Sequence, residues 1–245
     1  MPHSPQAGIT SSATHIEMGR LLHRHFSECG PRRRNEDAAL IVKLPDRVRS
    51  AFIVCDGMGG HPCGDVASRT VASAISRYWL GNPKRHDSPK KIIDAAEVAM
   101  TALDKRQYTG MGTTMSMITI EGEQCLTAHC GDSRIYYSFT YRGRQISGHL
   151  RDHTSKTPEG WEYVSKGFLQ GDNVHTPEIH TLNLRVLTHC RFLICTDGVY
   201  RAFGQGEIEH LLATTDNIDE IETILKARCL ASARDNYTAI IISTQ

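Results

Sequence analysis

Phe52-Ile53-Val54-Cys55-Asp56-Gly57-Met58-Gly59-Gly60 runs four apolar residues straight into an acid and a glycine-rich turn. A short apolar run bounded by a turn signal reads as a strand covered on both faces, and the glycines permit backbone angles and close approaches closed to other residues. Such a strand delivers one carboxylate to the edge of a sheet. Taken alone, Asp56 has a plainer use as a turn residue that caps a helix starting near Gly64. The pattern returns, however, in Phe192-Leu193-Ile194-Cys195-Thr196-Asp197-Gly198. A third acid, Asp235, stands beside Asn236 just before the apolar run Thr238 to Ser243.

In neighbouring strands of one sheet sandwich, Asp56, Asp197 and Asp235 would cluster at one edge. Three carboxylates in a partly dry pocket cannot all stay ionised unaided, because repulsion and desolvation raise their pKa values. A divalent cation resolves the conflict. An all-oxygen donor set suits Mg²⁺ or Mn²⁺, whereas zinc favours His and Cys, and the chain has neither a CxxC nor an HExxH spacing.

The bulk properties bound the rest. A chain of 245 residues can form one large domain with a substantial core. Its 28 Lys and Arg against 27 Asp and Glu give a net charge of +1, which points to neither nucleic acid nor an acidic membrane surface. The eight cysteines are spread through apparent strands and helices, as expected of reduced, buried thiols in a cytoplasmic protein. No apolar run approaches the length of about 18 residues needed to span a membrane, and the N-terminus lacks a signal-peptide layout. Residues 1–14, rich in Pro, Ser, Thr and Gly, read as a disordered leader, and 15–245 as a single domain.

Along the chain, strands are predicted at Leu21 to Phe26 and Ala38 to Val42, with a hairpin around Pro45-Asp46 before the opening motif. Apolar spacing of three and four predicts a helix from Gly64 to about Leu80. A second follows Ser88 and Pro89, with Ile92, Ala96, Ala99, Met100 and Leu103 on one face. Thr113 to Ile120, Gln124 to Cys130 and Arg134 to Phe139 read as strands joined by short turns, and a further strand is expected before Asp152. Residues 155–180 are broken by Pro and Gly and read as a surface excursion. Leu184 to Leu187 and the buried strand 192–195 then lead to two short helices, near Glu207 to Ala213 and Ile218 to Ala231, and a last strand.

RxxNED at 32–37, DGMGG at 56–60, MGTT at 111–114, GDSR at 131–134, DHT at 152–154, CTDGVY at 195–200 and DNYT at 235–238 form an ordered set. It resembles that of the PPM (type-2C) metal-dependent Ser/Thr protein phosphatases in their short bacterial form. The resemblance implies an α+β fold, a four-layer α-β-β-α sandwich of two antiparallel sheets flanked by helices. It implies a centre of two Mn²⁺ or Mg²⁺ ions at one end of the sandwich. By motif position Asp56 would bridge both ions and Asp197 and Asp235 would complete the first site. The Gly57 carbonyl with Glu36 or Asp37 would serve the second. Asp132 would help to hold a weaker third ion with Asp197, and Arg32 would clamp the substrate phosphate while Arg33 and Arg34 stay solvated. The implied reaction is hydrolysis of phosphoserine and phosphothreonine by metal-activated water, without a phosphoenzyme.

Two departures stand out. Many eukaryotic relatives carry His, the proposed acid for the leaving alkoxide, where this chain has Met58; solvent water on the metal or His61 are the substitutes. The segment after Asp152-His153-Thr154 is also shorter than the helical flap of bacterial relatives. Thr113, Thr114 and His153 are expected to pack and hydrogen-bond around the acids. The expected partners are phosphorylated proteins, among them a cognate Hanks-type Ser/Thr kinase and its targets, with no nucleic acid, no membrane and a monomeric state. The rival readings are a phosphatase of small phosphomonoesters and a non-catalytic binding protein on the same fold.

Overall fold

The computed structural model describes residues 21–44, 49–58, 63–81, 89–102, 110–170 and 177–244. The leader, the Pro45-Asp46 turn, Gly59, Gly60, His61, Ser88 and Leu103 lie outside the described residues.

Strand β1 (Leu21–Glu28) precedes the arginine-rich turn. Strands β2 (Asp37–Lys43) and β3 (Arg49–Asp56) then pair antiparallel, with Asp37 directly opposite Asp56. Helix α1 (Gly64–Gly81) follows the Asp-Gly turn, and α2 (Pro89–Thr101) opens on a proline whose fixed φ suits a first helical turn. Short β4 (Gly112–Thr113) leads into β5 (Met115–Glu121), β6 (Gln124–Cys130), β7 (Arg134–Tyr141) and β8 (Arg144–His149).

The stretch expected to be a loose excursion contains ordered pieces. A small hairpin joins β9 (Thr154–Lys156) and β10 (Glu162–Val164), β11 (Phe168–Leu169) pairs with β4, and β12 (Glu178–Asn183) adds an edge to β6. A 3-10 turn at Leu184–Val186 precedes β13 (Leu187–Cys195). A one-turn helix, α3 (Asp197–Tyr200), follows the strand, too short for a periodic sequence pattern to predict it. Helices α4 (Glu207–Thr214) and α5 (Ile218–Ser232) and strand β14 (Tyr237–Thr244) complete the chain.

Two five-stranded antiparallel sheets result, one in the order β1-β14-β13-β7-β8 and the other β12-β6-β5-β3-β2. Cover on both faces explains why the 52–55 part of β3, the 192–195 part of β13 and the 239–242 part of β14 are apolar without a break. In β3, Ile53 and Cys55 meet Val71 and Ile75 of α1, while Phe52 and Val54 face the other sheet. In β13, Leu193 and Cys195 meet Leu212 of α4 and Leu225 of α5, while Phe192 and Ile194 face inward. In β14, Ala239 and Ile241 go to the helices and Ile240 and Ile242 to the gap between the sheets. Both faces of both sheets are therefore covered, giving the expected four-layer α-β-β-α sandwich. The middle layer is its least replaceable part: Phe192, wholly buried, truncated to Ala would cost roughly 3–5 kcal/mol. Among the described residues no helix is long and apolar enough to cross a membrane.

Candidate functional site

Toward one end, the same alternation turns polar. The parity that sends Phe52 and Val54 between the sheets sends Asp56 there too, and Ile41 and Ala39 of β2 are followed on that face by Asp37. Thr114 and Ser116 continue the face of Ile118, Ser133 that of Ile135, Thr196 that of Ile194 and Thr238 that of Ile240. The middle layer is hydrocarbon over most of its length and a cluster of hydroxyls and carboxylates at this edge.

Asp56 is held by its backbone. Its carbonyl accepts from Thr113 Oγ1 at 2.8 Å and Thr114 N at 2.9 Å, and its N–H donates to Thr114 Oγ1 at 3.0 Å. Gly57 follows because nothing larger fits: a Cβ there would lie 2.5 Å from the Gly64 backbone, where α1 begins. The Gly57 N–H donates to the Glu36 carbonyl at 3.1 Å, and Ser68 Oγ donates to that carbonyl at 2.6 Å, tying the 32–37 segment to the turn. Gly131, with φ +117° and a would-be Cβ 2.6 Å from the Thr114 side chain, lets the β6–β7 turn bring Asp132 alongside.

Consecutive residues part company at the other end of the motif. Asp37 is buried and its Oδ2 accepts from Thr196 Oγ1 at 2.9 Å. Glu36 is half-buried and stands over the Gly57–Gly64 contact, its carboxyl carbon 3.4 Å from a would-be Cβ on Gly64. Asp197 opens α3 and Asp235 stands just before β14. Arg32, Arg33 and Arg34 are exposed, and Arg32 Nη2 reaches Asp235 Oδ2 at 2.6 Å.

The electrostatics follow from this crowding. Burial pushes Asp56 well above the usual carboxylate range, and the charges of Asp37, Asp197, Asp132 and Asp235 add to the effect. Burial raises Asp37 to about 7 against the hydrogen bonds it accepts from Thr238 and Thr196. Asp132 is pushed up to about 6 by burial and Asp197, and Asp197 and Glu36 are also raised, chiefly by burial. The acids thus feel one another. Yet among the described residues no three Asp, Glu, His or Cys side chains close into a ready-made ion cage. Two guanidinium groups stand among them, Arg32 at Asp235 and Arg201 at Asp197 and Asp132.

Whether a hard divalent cation suits this edge can be judged from the donors. They are oxygens: the carboxylates, the Gly57 carbonyl and hydroxyls. The neighbouring thiols of Cys55 and Cys195 are fully buried, which holds their protons on and withholds them as thiolate ligands. An excess of shielded negative charge with oxygen donors fits Mg²⁺ or Mn²⁺.

Thr113, Thr114 and His153 were expected around the acids, whereas Asn236, Thr196, Thr238, Arg134, Ser116, Ser133 and His129 carried no role in the sequence. Asn236 Nδ2 donates to the Cys29 carbonyl at 2.7 Å and the Arg34 carbonyl at 2.8 Å, and its Oδ1 accepts from Glu36 N at 2.9 Å, fixing the whole 29–36 loop. Thr196 and Thr238 hold Asp37, and strand parity alone could have nominated both. Arg134 forks onto Asp152 (Nε to Oδ1 2.9 Å, Nη2 to Oδ2 2.6 Å), donates to Tyr136 Oη at 3.0 Å and stacks 3.7 Å from the Tyr200 ring centre. A hydroxyl chain backs Asp56: Thr114 Oγ1 meets Ser133 Oγ at 2.6 Å, and Ser116 Oγ contacts the Ser133 carbonyl at 2.8 Å and His129 Nδ1 at 3.1 Å. His153 stacks on His129 with ring centres 4.9 Å apart. The Met58 side chain lies back against Gly112 and Gly167, where a Cβ would come 3.0 Å from Sδ and 2.0 Å from Cε.

Residues 31–231 match the family described as Protein phosphatase 2C. Protein phosphatase PhpP of Streptococcus pneumoniae serotype 2 is 24% identical over 243 residues, covering 89% of this chain and 95% of that protein. The crystal structure of a bacterial serine phosphatase superposes with a TM-score of 0.76 at 23% identity, over 92% of this chain and 98% of that one. The catalytic domain of the serine/threonine protein phosphatase PstP, solved with two manganese ions, gives a TM-score of 0.71 at 25% identity, over 91% and 98%.

Proposed function

We propose that this chain, which belongs to the protein phosphatase 2C family, hydrolyses phosphoserine and phosphothreonine with the acids gathered around Asp56. It is a metal-dependent protein serine/threonine phosphatase of bacterial type, acting on phosphoproteins. The observation that carries the site is the gathering of the buried Asp37 and Asp132 with the partly buried Asp56 and Asp197 at the polar end of the middle layer, where their raised proton affinity calls for cationic charge.

Asp56, Asp197 and Asp235 would hold a first ion, and Asp56 with the Gly57 carbonyl and Glu36 a second. The pair of manganese ions in the PstP structure supports that number. Asp37 is already committed to Thr196, so Glu36 is the better candidate of the two. When bound, a pair of divalent cations lowers the pKa of water toward neutrality and offsets charge on the attacking and leaving oxygens. Arg32 sits at the exposed lip, and its planar fork suits two phosphoryl oxygens better than a lysine would. Its present partner Asp235 is one of the metal acids, so engaging that acid frees the guanidinium for substrate. Met58 carries no proton to give and is folded away against two glycines, so the leaving alkoxide would take its proton from water or from His61. Residues 15–245 would form one catalytic domain in the cytoplasm, reversing a Ser/Thr kinase; all eight cysteines are free thiols, which suits a reducing compartment.

The test is hydrolysis of a phosphothreonine peptide with Mn²⁺. Activity should vanish with EDTA, and Asp56→Asn should lose both Mn²⁺ binding and turnover while remaining folded. Full activity in Asp56→Asn would sink the assignment.

A further inference from the structure

Helix α3 is a single turn, so the residue four places after Asp197 hangs over that acid. This residue, Arg201, ends the helix as its C-cap and donates its N–H to the Asp197 carbonyl at 3.0 Å. Its Nε lies 3.1 Å from Asp197 Oδ2 and its Nη2 3.8 Å from Asp132 Oδ2. One guanidinium therefore spans two acids carried by different parts of the chain, the β13–α3 junction and the β6–β7 turn. The acid side chains are only 19% and 10% exposed, whereas the arginine is 62% exposed, so it covers them from the solvent side.

The neighbouring arginine cannot take over this position. Arg134 is committed to Asp152, Tyr136 and the face of Tyr200. Because Tyr200 precedes Arg201, that stack also fixes the turn from which Arg201 projects. The family resemblance implies a third, weaker cation at the Asp132–Asp197 pair. With Arg201 in place, a divalent ion there would meet a positive charge beside the carboxylate oxygens it needs.

We propose that Arg201 is a built-in cation for the Asp132–Asp197 pair, supplying the charge otherwise assigned to a third metal ion, so that this chain takes up two ions and not three. This rests on the two-ion reading above and makes Arg201 a positioning residue for Asp197.

Mn²⁺ titrations followed by calorimetry and by the electron paramagnetic resonance of free Mn²⁺ test it on the full chain. The variants are Arg201→Ala, Asp132→Asn and Arg201→Ala/Asp132→Asn, each checked for a cooperative unfolding transition. The wild-type chain and Asp132→Asn should both bind two ions. Arg201→Ala should gain a third, bound about tenfold or more tightly than any third ion in the wild type, since a unit charge has been removed beside a divalent one. Adding Asp132→Asn should return the count to two. A third ion in the wild type that depends on Asp132 and is unchanged in Arg201→Ala overturns the proposal, as does a count of two in Arg201→Ala. A wild-type chain that binds no Mn²⁺ fails the two-ion reading itself, and this one with it.

Discussion

Asn236 fastens the loop that carries Arg32 and Glu36, through the carbonyls of Cys29 and Arg34 and the N–H of Glu36. None of those three backbone groups has a place in a strand ladder, and the amide is itself buried, so water is a poor substitute. Asn236→Ala should therefore cost roughly 1–3 kcal/mol in urea unfolding. It should also raise KM for a phosphopeptide more than it lowers kcat, because the loosened loop presents Arg32 less well. Equal KM in variant and wild type would show that the loop is held by other means. Asp37 illustrates the same scale. The sequence left it as an alternative to Glu36, since two adjacent acids in a motif look equivalent in one dimension. In space they point opposite ways, and Thr196 claims the inner one.

At the level of elements, the Arg134 fork joins β7 to the segment entering β9 and, through Tyr200, to α3. A lysine keeps the charge but loses the two parallel bonds to Asp152 and the flat stack on the ring. Arg134→Lys should destabilise the chain by roughly 2 kcal/mol, as expected for charge-assisted bonds in a partly buried setting. A double-mutant cycle with Asp152→Asn should show strong coupling; additive effects in the unfolding midpoints would refute the clamp. Most of the long elements were legible because their apolar residues announce them. The 52–55 part of β3, the 192–195 part of β13 and the 239–242 part of β14 are continuous apolar runs, and α1 keeps its spacing. Strand β12 was not, because as an edge strand it leaves Ile179, His180, Thr181 and Asn183 to solvent and so writes no apolar pattern. The hairpin of β9 and β10 is similarly exposed, with Trp161 and Tyr163 turned outward. Helix α3 has four residues, too few for any periodicity to appear. It is the element that presents Arg201, so no sequence pattern marks that residue.

Over the whole molecule, a net charge of +1 conceals a concentrated negative centre, and this has a consequence for stability. In the metal-free chain Asp37 titrates near 7 and Asp132 near 6, with Asp56 and Asp197 also raised, against 3.8 when unfolded. Between pH 3.8 and about 7 the folded state therefore holds protons that the unfolded state has released, so stability is greatest at the acid end and falls as pH rises. His129 works in the opposite sense. Burial, with help from His153, lowers it from 6.5 to about 4, so its contribution is present above 6.5 and is lost as pH falls toward 4. Glu36 is raised as well, and His23 and His153 are lowered alongside His129; the five raised acids outweigh the three lowered histidines, and the unfolding temperature of EDTA-treated protein should decline from mildly acidic to neutral pH. Mn²⁺ binds the folded state and gains as the acids deprotonate, so the increase in Tm that it produces should grow over the same range. Asp56→Asn separates the two effects, because an amide resembles the protonated acid and carries no charge. It should raise Tm in EDTA and abolish the Mn²⁺ increment, destroying activity while strengthening the empty fold. A metal-free wild-type Tm that climbs steadily from pH 4 to 7, or an Asp56→Asn variant less stable than wild type in EDTA, would mean that the acids are not the strained part of the molecule.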